Sequence, residues 1–332
     1  MKRQLIQLLA AATTAFVVLS GCSGSSSTKA SAPSTVSKGV VTGFGSVYVN
    51  GVEYKTAGSK VHLPDDSATA STLGSSETEI RNHLKVGMVV TVKGSSDSST
   101  GEASEIEFKD NLEGLVTAGT ASSITVLGIA VNVDSSTKFY DNSGVETTSA
   151  AITPNSTWVE VSGVPDNNGN FIATYVGIKS ADSKQELKGY VVAIAVDSFD
   201  LGLSAGIQAV TVNTALPAGI AVGDYVEVKF NTSGTVLEVE REDDQVKADS
   251  ETSKAEVEGY VSAINGDSVT VSVYGNAQTV LLTGTTLYFA KANNGTVTST
   301  DRSALVVGSK ISAEGPLSNG VITATKIKIR TI

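Results

Sequence analysis

The chain is short of the residues that most often carry chemistry. It has one cysteine and two histidines among 332 residues. A single cysteine excludes an intrachain disulfide and a structural zinc site built from several thiolates. Aromatic side chains make up only 5%. A core must therefore be built from Val, Ile, Leu and Ala, which read as strand residues where they alternate with Thr and Ser. Basic residues are also in deficit, 24 Lys and Arg against 34 Asp and Glu, for a formal charge of −10. Binding to a phosphate backbone relies on a basic surface that releases counterions, so no nucleic-acid partner is expected. The negative balance fits a solubility role. What is present is enough apolar material, 40% of the chain, to rule out global disorder. A soft prior of ~150 residues per domain gives two or three domains, and small barrels allow four.

The amino terminus has its own logic. Lys2 and Arg3 precede an apolar stretch from Leu5 to Leu19 that is interrupted by Gln7, Thr13 and Thr14. It falls short of the ~20 residues of a spanning helix and reads as a secretory signal. It ends in Leu19-Ser20-Gly21-Cys22, which resembles the lipobox of bacterial lipoproteins. That resemblance implies cleavage before Cys22, a diacylglycerol on its sulfur and an acyl chain on its nitrogen, with Ser23 favouring the outer membrane. Several acyl chains, at ~0.8 kcal/mol per buried methylene, make a lasting anchor. Loss of residues 1–21 leaves 22 basic residues against 34 acidic, or −12. Ser23 to Ser37, rich in Ser, Thr, Gly, Ala and Pro, reads as a flexible tether.

The mature region repeats itself. Gly39-Val40-Val41 returns as Gly114-Leu115-Val116, Gly189-Tyr190-Val191 and Gly259-Tyr260-Val261 at nearly equal intervals. A second block keeps the register: Gly87 to Val92, Ser156 to Val161, Gly223 to Val228 and Gly308 to Ala313. In it Val90 and Val92, or Val226 and Val228, share one face, while Thr91, Glu160, Glu227 and Ser312 lie opposite and are expected to meet solvent. A third block (Ala103 to Ile106, Ala173 to Val176, Leu237 to Val239, Ala324 to Ile327) follows Gly101, Gly169, Gly234 and Gly320, each a candidate turn glycine. Asn50-Gly51 is the strongest hairpin signal, with Gly128 and Gly275-Asn276 in the equivalent place. About five short strands in ~70 residues suit a small closed barrel.

The expectation is thus an all-β chain of tandem small OB-like β-barrels, about five strands each, after a lipoprotein signal peptide and a flexible tether. The divisions are a signal peptide at 1–21, a lipidated tether at 22–37, repeats at 38–110, 111–185 and 186–240, a charged linker at 241–255 and a fourth repeat at 256–332. Glu240-Arg241-Glu242-Asp243-Asp244 spans the end of repeat 3 and the start of the linker, and the units read as beads with a looser joint before the fourth. An open sandwich is the alternative form, and strand order stays open.

Gly43-Phe44-Gly45-Ser46-Val47-Tyr48-Val49-Asn50-Gly51, followed by Leu84 to Gly94, resembles the bacterial family called domain of unknown function 5666. Leu127-Gly128 and Trp158 to Gly163 in the second repeat also fit. The resemblance fades in repeats 3 and 4. It implies tandem β-domains outside the cytoplasm and carries no active residues, because the family has no assigned activity.

No catalytic constellation emerges, so the chain is expected not to be an enzyme and to need no cofactor. His62 and His83 lie near Asp65, Asp66, Glu77 and Glu79 without a ligand spacing, and read as solvated residues of a polar insertion. Asp166-Asn167-Asn168-Gly169-Asn170 offers hard oxygens but reads as a turn. Gly43-Phe44-Gly45 lacks the third glycine and the following helix of a dinucleotide fingerprint, and reads as a strand bend. Trp158, Tyr225 and Tyr48 sit on or near outward strand faces, where packing between units is preferred over stacking on a sugar or a partner. The expected function is a structural or protein-interaction module of the cell envelope. It would be held to a membrane through the lipid on Cys22, with an envelope protein as partner and the membrane face left open. The alternative is binding of a polysaccharide or a cation by the barrel faces or acidic loops.

Overall fold

In the computed structural model, the described residues are 34–64, 71–72, 76–97, 99–166, 170–204, 207–242, 253–274, 276–292 and 296–330. Leu19, Ser20, Gly21 and Cys22 lie outside them. The described residues are mainly strands, with one α-helix, Glu77–His83, and two 3₁₀ turns.

Repeat 1 shows how the sequence builds the unit. Its strands are Ser34–Phe44, Val47–Val49, Val52–Lys55, Val89–Ser96 and Thr100–Phe108. Val47, Val49, Val52 and Tyr54 alternate into the core and are almost fully buried, as the period of a strand requires. Asn50 and Gly51 take φ values of 55° and 87°, and Leu127 and Gly128 take 52° and 80°. Two successive positive-φ residues make the tight turn whose twist matches a hairpin. The first strand pairs antiparallel with the second and the second with the third. The third runs parallel to the fifth, the fifth is antiparallel to the fourth, and the fourth returns to the first. That ring is closed. Repeat 2 closes in the same order, and repeat 4 closes through the short strand Val321–Thr323. In repeat 3 no pairing joins the third strand, Ile207–Val212, to the fifth, Val236–Arg241, among the described residues. The architecture is a tandem array of small OB-like barrels.

The register repeats residue by residue. Gly39 faces Val90, Gly114 faces Val159, Gly189 faces Val226 and Gly259 faces Ile311. A bulge follows each of these glycines, around Thr42, Thr117, Val192 and Ser262. A β-carbon on Gly189 or Gly259 would strike the carbonyl of Gly202 or Ser272 on the second strand. In repeats 3 and 4 the signature glycine therefore serves close strand approach at the bend, whereas in repeats 1 and 2 it makes room for the side chains of Asn50 and Gln185. A second glycine closes the ring: a β-carbon on Gly94, Gly163 or Gly315 would strike the carbonyl of Glu102, Ile172 or Thr323. Repeat 3 carries Phe230 at this place, 9% exposed and part of the core, and it is the repeat whose ring stays open.

Several expectations need correction. The repeats are not beads. Thr35 to Lys38 pair in parallel with Lys254 to Val257, which joins repeats 1 and 4 in one sheet; Ser34 to Ser37, expected as the end of the flexible tether 22–37, are therefore strand. Glu186 and Leu187 pair with Glu113 and Leu112, which joins repeats 2 and 3. The apolar core of repeat 1 includes Tyr140 and Tyr175 from repeat 2. The linker is shorter than 241–255, because one strand runs through Arg241 and the next starts at Lys254; residues 243–252 lie outside the described set. Gly101 lies inside a strand and makes no turn; it gives room to the ring of Tyr54. Gly234 and Gly320 do turn, at φ 82° and 74°. Asn155, at φ 60°, donates its N–H to Val116 just as Gly87 does to Val41, so it and not Ser156 fills the glycine's place in repeat 2.

Candidate functional site

The expectation of solvent on the polar strand face fails most clearly. Glu160, Glu227 and Ser312 are 7%, 8% and 9% exposed. The residue before each signature glycine is charged and buried as well: Lys38, Glu113, Lys188 and Glu258 are all at most 6% exposed. The outer faces of the first and fourth strands are thus covered by neighbouring repeats, and the charges they carry must be paired there.

Lys38 lies over the Tyr274 ring, 5.4 Å from its centroid, and the other charges are paired in two networks. At the junction of repeats 2 and 3, the Lys188 ammonium lies 2.6 Å from Asp110, 3.0 Å from Glu227 and 3.3 Å from Glu186. Lys179 reaches Glu113 at 2.7 Å, and Lys229 reaches Glu227 at 3.0 Å. Burial alone would lower the Lys188 pKa, yet Asp110, Glu227 and Glu186 hold it above its ordinary value. In repeat 4, Glu258 meets Lys310 at 2.9 Å and Arg330 at 3.1 Å, and Glu314 meets Lys254 at 2.5 Å and Lys326 at 2.6 Å. Burial pushes the Glu258 carboxyl up, but the two cations outweigh it and hold it low.

Glu186 departs from this pattern. Burial pushes its carboxyl up to about 7, with Lys188 opposing and Asp110 and Glu227 adding to the rise. A carboxyl raised from 4.5 in this way contributes stability that is complete below its unfolded pKa and lost as pH rises through 7. Glu186→Gln is therefore expected to be more stable than wild type at about pH 8, by about 1–2 kcal/mol, and no more stable at about pH 4. Urea unfolding at the two pH values checks this.

Three of these acids, Asp110, Glu113 and Glu160, bring carboxylate oxygens within 4.8 Å of one another, and Glu227, Glu240 and Glu242 do the same. In both groups lysine ammonium ions already neutralise the oxygens: Lys188 and Lys179 in the first, Lys229 and Lys109 in the second. The clusters have the ligand atoms of a hard cation, but they are built as salt-bridge networks.

Glu160 also opens onto a cleft of about 360 Å³ between repeats 1 and 2. One wall is the helix Glu77–His83 with Lys85 beyond it. Ser76 caps that helix by accepting from the Glu79 N–H at 3.3 Å, and fully buried Ile80 and Leu84 fix it to the barrel. The opposite wall is the turn Asp141 to Gly144 of repeat 2, where the Asp141 carboxylate accepts from Ser143 and Val145. The floor is aromatic: Tyr175 packs edge-on to Phe108 at 5.8 Å and lies 5.7 Å from Tyr140. Burial raises the Tyr175 hydroxyl pKa, and the charge of Glu160 and its hydrogen bond raise it further. Burial and the nearby Arg81 lower Lys85. The cleft therefore offers carboxylate acceptors, ammonium donors and an aromatic floor side by side.

Sequence reading missed this cleft because its walls come from different repeats. The polar insertion holds the strand Lys60–His62 and the helix rather than plain loop. His62 lies 3.8 Å from Glu105, whereas His83 lines the cleft. Neither joins a metal-capable group among the described residues; Asp65 and Asp66 lie outside them. Ser76-x-x-Glu79 is a capping-box signature that would have revealed the helix. Asp166 and Asn170 close a hairpin, with the Asn170 N–H bonded to the Asp166 carboxylate at 2.8 Å, and their three intervening residues are not described. Trp158 and Tyr225 are each 8% exposed, the latter packed 4.9 Å from Tyr190.

Comparison with known proteins gives the family but no activity. No curated protein matches. Among solved structures, the crystal structure of a multidomain protein with nucleic acid binding domains from Streptococcus pneumoniae is 9% identical, with 66% of this chain and 71% of that chain covered. Its TM-score of 0.17 carries no argument. A model described as the third domain of domain of unknown function 8167 matches residues 208–288. The model of domain of unknown function 5666 matches residues 38–107, 113–177 and 258–328. Repeat 4 thus matches where the sequence resemblance had faded, and repeat 3, with its phenylalanine and open ring, does not. With three of its four repeats matched, the chain belongs to the family of domain of unknown function 5666.

Proposed function

We propose that this chain is a non-enzymatic cell-envelope lipoprotein, a structural and protein-interaction module held to the outer membrane by acylated Cys22. The observation that carries the reading is the covering of one repeat's polar strand face by another. Glu113, Glu160, Lys188, Glu227 and Glu258 are all under 9% exposed and paired. Of these pairs Lys188 to Asp110 crosses a repeat boundary, and the strand pairings of repeat 1 with 4 and of repeat 2 with 3 complete the joins; a chain so joined presents a fixed outer surface to a partner, as stacked repeats do elsewhere. Crosslinking in native membranes followed by mass spectrometry is expected to recover a stoichiometric envelope protein. Recovering none under several growth conditions contradicts the reading. Cys22→Ser is expected to move the protein from the membrane to the soluble fraction; continued membrane retention would remove the anchor from the proposal.

A second reading, capture of a polysaccharide segment, is favoured by the cleft between repeats 1 and 2. Sugar recognition combines an aromatic face with carboxylate and amine groups that meet hydroxyls, and Tyr140, Glu160, Asp141 and Lys85 supply both there. A glycan array should show binding that Tyr140→Ala weakens by at least about tenfold. A flat array would remove this reading.

A further inference from the structure

Among the described residues, no other ion pair is buried so completely at both ends as Lys188 with Asp110. Their side chains are 5% and 1% exposed, and Lys188 Nζ lies 2.6 Å from Asp110 Oδ1. Lysines elsewhere keep more solvent: Lys310 beside Glu258 is 24% exposed, and Lys326 beside Glu314 is 20% exposed. The second Asp110 oxygen is buried too and accepts no hydrogen bond among the described residues. The carboxyl carbon stands one C–O bond beyond Oδ1, hence within about 3.9 Å of the nitrogen. An amine nitrogen and a carboxyl carbon held this close, away from water, are placed as reactants are.

The groups around the pair suit a condensation. The neighbouring acids hold Lys188 as an ammonium ion, so a proton must leave it before the nitrogen can attack. Glu186 Oε2 is 3.3 Å from Nζ. Its carboxyl, pushed up to about 7 by burial, can take up a proton and return it near neutral pH. Loss of the two charges strands no partner. Glu227, 3.0 Å from Lys188, keeps Lys229 at 3.0 Å. An amide in place of two buried charges also removes the cost of keeping them from water. Asp110 and Lys188 stand at the two ends of repeat 2, where the chain enters it and where it leaves.

We propose that Lys188 and Asp110 condense spontaneously to an amide, a covalent staple across the two ends of repeat 2. Ionised Glu186 takes one proton from the ammonium. The freed nitrogen then attacks the Asp110 carboxyl carbon, and the Nζ–Cγ bond forms. A second nitrogen proton and the one carried by Glu186 pass to one Asp110 oxygen, the Cγ–O bond breaks, and water departs. Glu186 ends as it began, and no other reactant enters. Tension between the membrane tether and repeats 3 and 4 then runs through the staple and leaves repeat 2 unloaded.

The test is mass spectrometry of the purified mature chain, denatured and digested with trypsin. Residues 110–138 and 185–229 are expected as one branched species, lighter than their sum by one water, because an acylated Lys188 no longer directs cleavage. Asp110→Ala is expected to give only the linear peptides. Glu186→Gln keeps both reacting groups and should stay folded by circular dichroism, yet form the branched species at least about 100-fold more slowly after refolding. A folded wild-type chain that yields free 110–138 and 189–229, a branched species in Asp110→Ala, or a Glu186→Gln variant that links as fast as wild type would each overturn the proposal.

Discussion

Lys188→Met is expected to cost about 3–5 kcal/mol of stability, because it removes the central cation of a buried network and leaves its acids in place. Lys188 is 5% exposed at its side chain and Asp110 is 1% exposed. Methionine fills much of the same volume, so lost packing contributes little. The cost comes mainly from Asp110, which loses its ammonium at 2.6 Å and cannot regain water without opening the junction of repeats 2 and 3; Glu227 loses Lys188 at 3.0 Å but keeps Lys229 at 3.0 Å. Adding Asp110→Asn to the variant should return part of the loss, since an amide tolerates burial better than an unpaired carboxylate. Urea denaturation of the three proteins measures it. A Lys188→Met variant within about 1 kcal/mol of wild type would mean that the junction is wetter than these distances imply.

Gly163→Ala is the second large effect, with an expected loss of about 3 kcal/mol. The added methyl would meet the Ile172 carbonyl, with the Ala173 Cα and a Phe171 ring carbon each at 2.9 Å. A backbone carbonyl in a paired strand cannot swing aside as a side-chain tip can. Gly163 lies outside the positive-φ set, so its cost is steric. Gly223→Ala makes the matched comparison: there the space is open but φ is 93°, and the expected loss is about 1 kcal/mol from the left-handed backbone alone. Thermal unfolding of both variants should rank them in that order. The reverse order would mean that ring closure tolerates a β-carbon and that Phe230 is no reason for the open ring of repeat 3.

These two positions also show what was legible in the sequence. Strand alternation reports which side chains enter a barrel, so Val90, Val159, Val226 and Ile311 could be aligned from pattern alone, and the structure sets each opposite its signature glycine. Asn50-Gly51 and Leu127-Gly128 act within four residues, so local rules suffice for them. The same alternation says nothing about what covers the outside of a barrel. Glu160 and Glu227 read as solvent-facing because their neighbours in sequence are silent about a repeat that packs on them. Lys188 meets Asp110 across 78 positions, and Lys38 pairs with Val257 across most of the chain. The turn glycines were legible in part: Gly234 and Gly320 do turn, Gly101 sits in a strand, and Gly94, Gly163 and Gly315, which the sequence left without a role, act through space that only the folded ring defines. The cleft joins His83 and Lys85 of one repeat to Tyr140 and Glu160 of the next, and no spacing within either repeat encodes that meeting.

The repeats bind one another through shared strands and buried charge. The most direct measurement is to place a protease site between Asp244 and Ser250 of the mature chain, cut it, and follow the pieces by size-exclusion chromatography under native conditions. Parallel pairing of Thr35 to Lys38 with Lys254 to Val257 predicts that repeat 4 stays with repeats 1 to 3 after the cut and leaves only in denaturant. Pieces that part at once, each still folded, would contradict the account and restore a string of independent barrels.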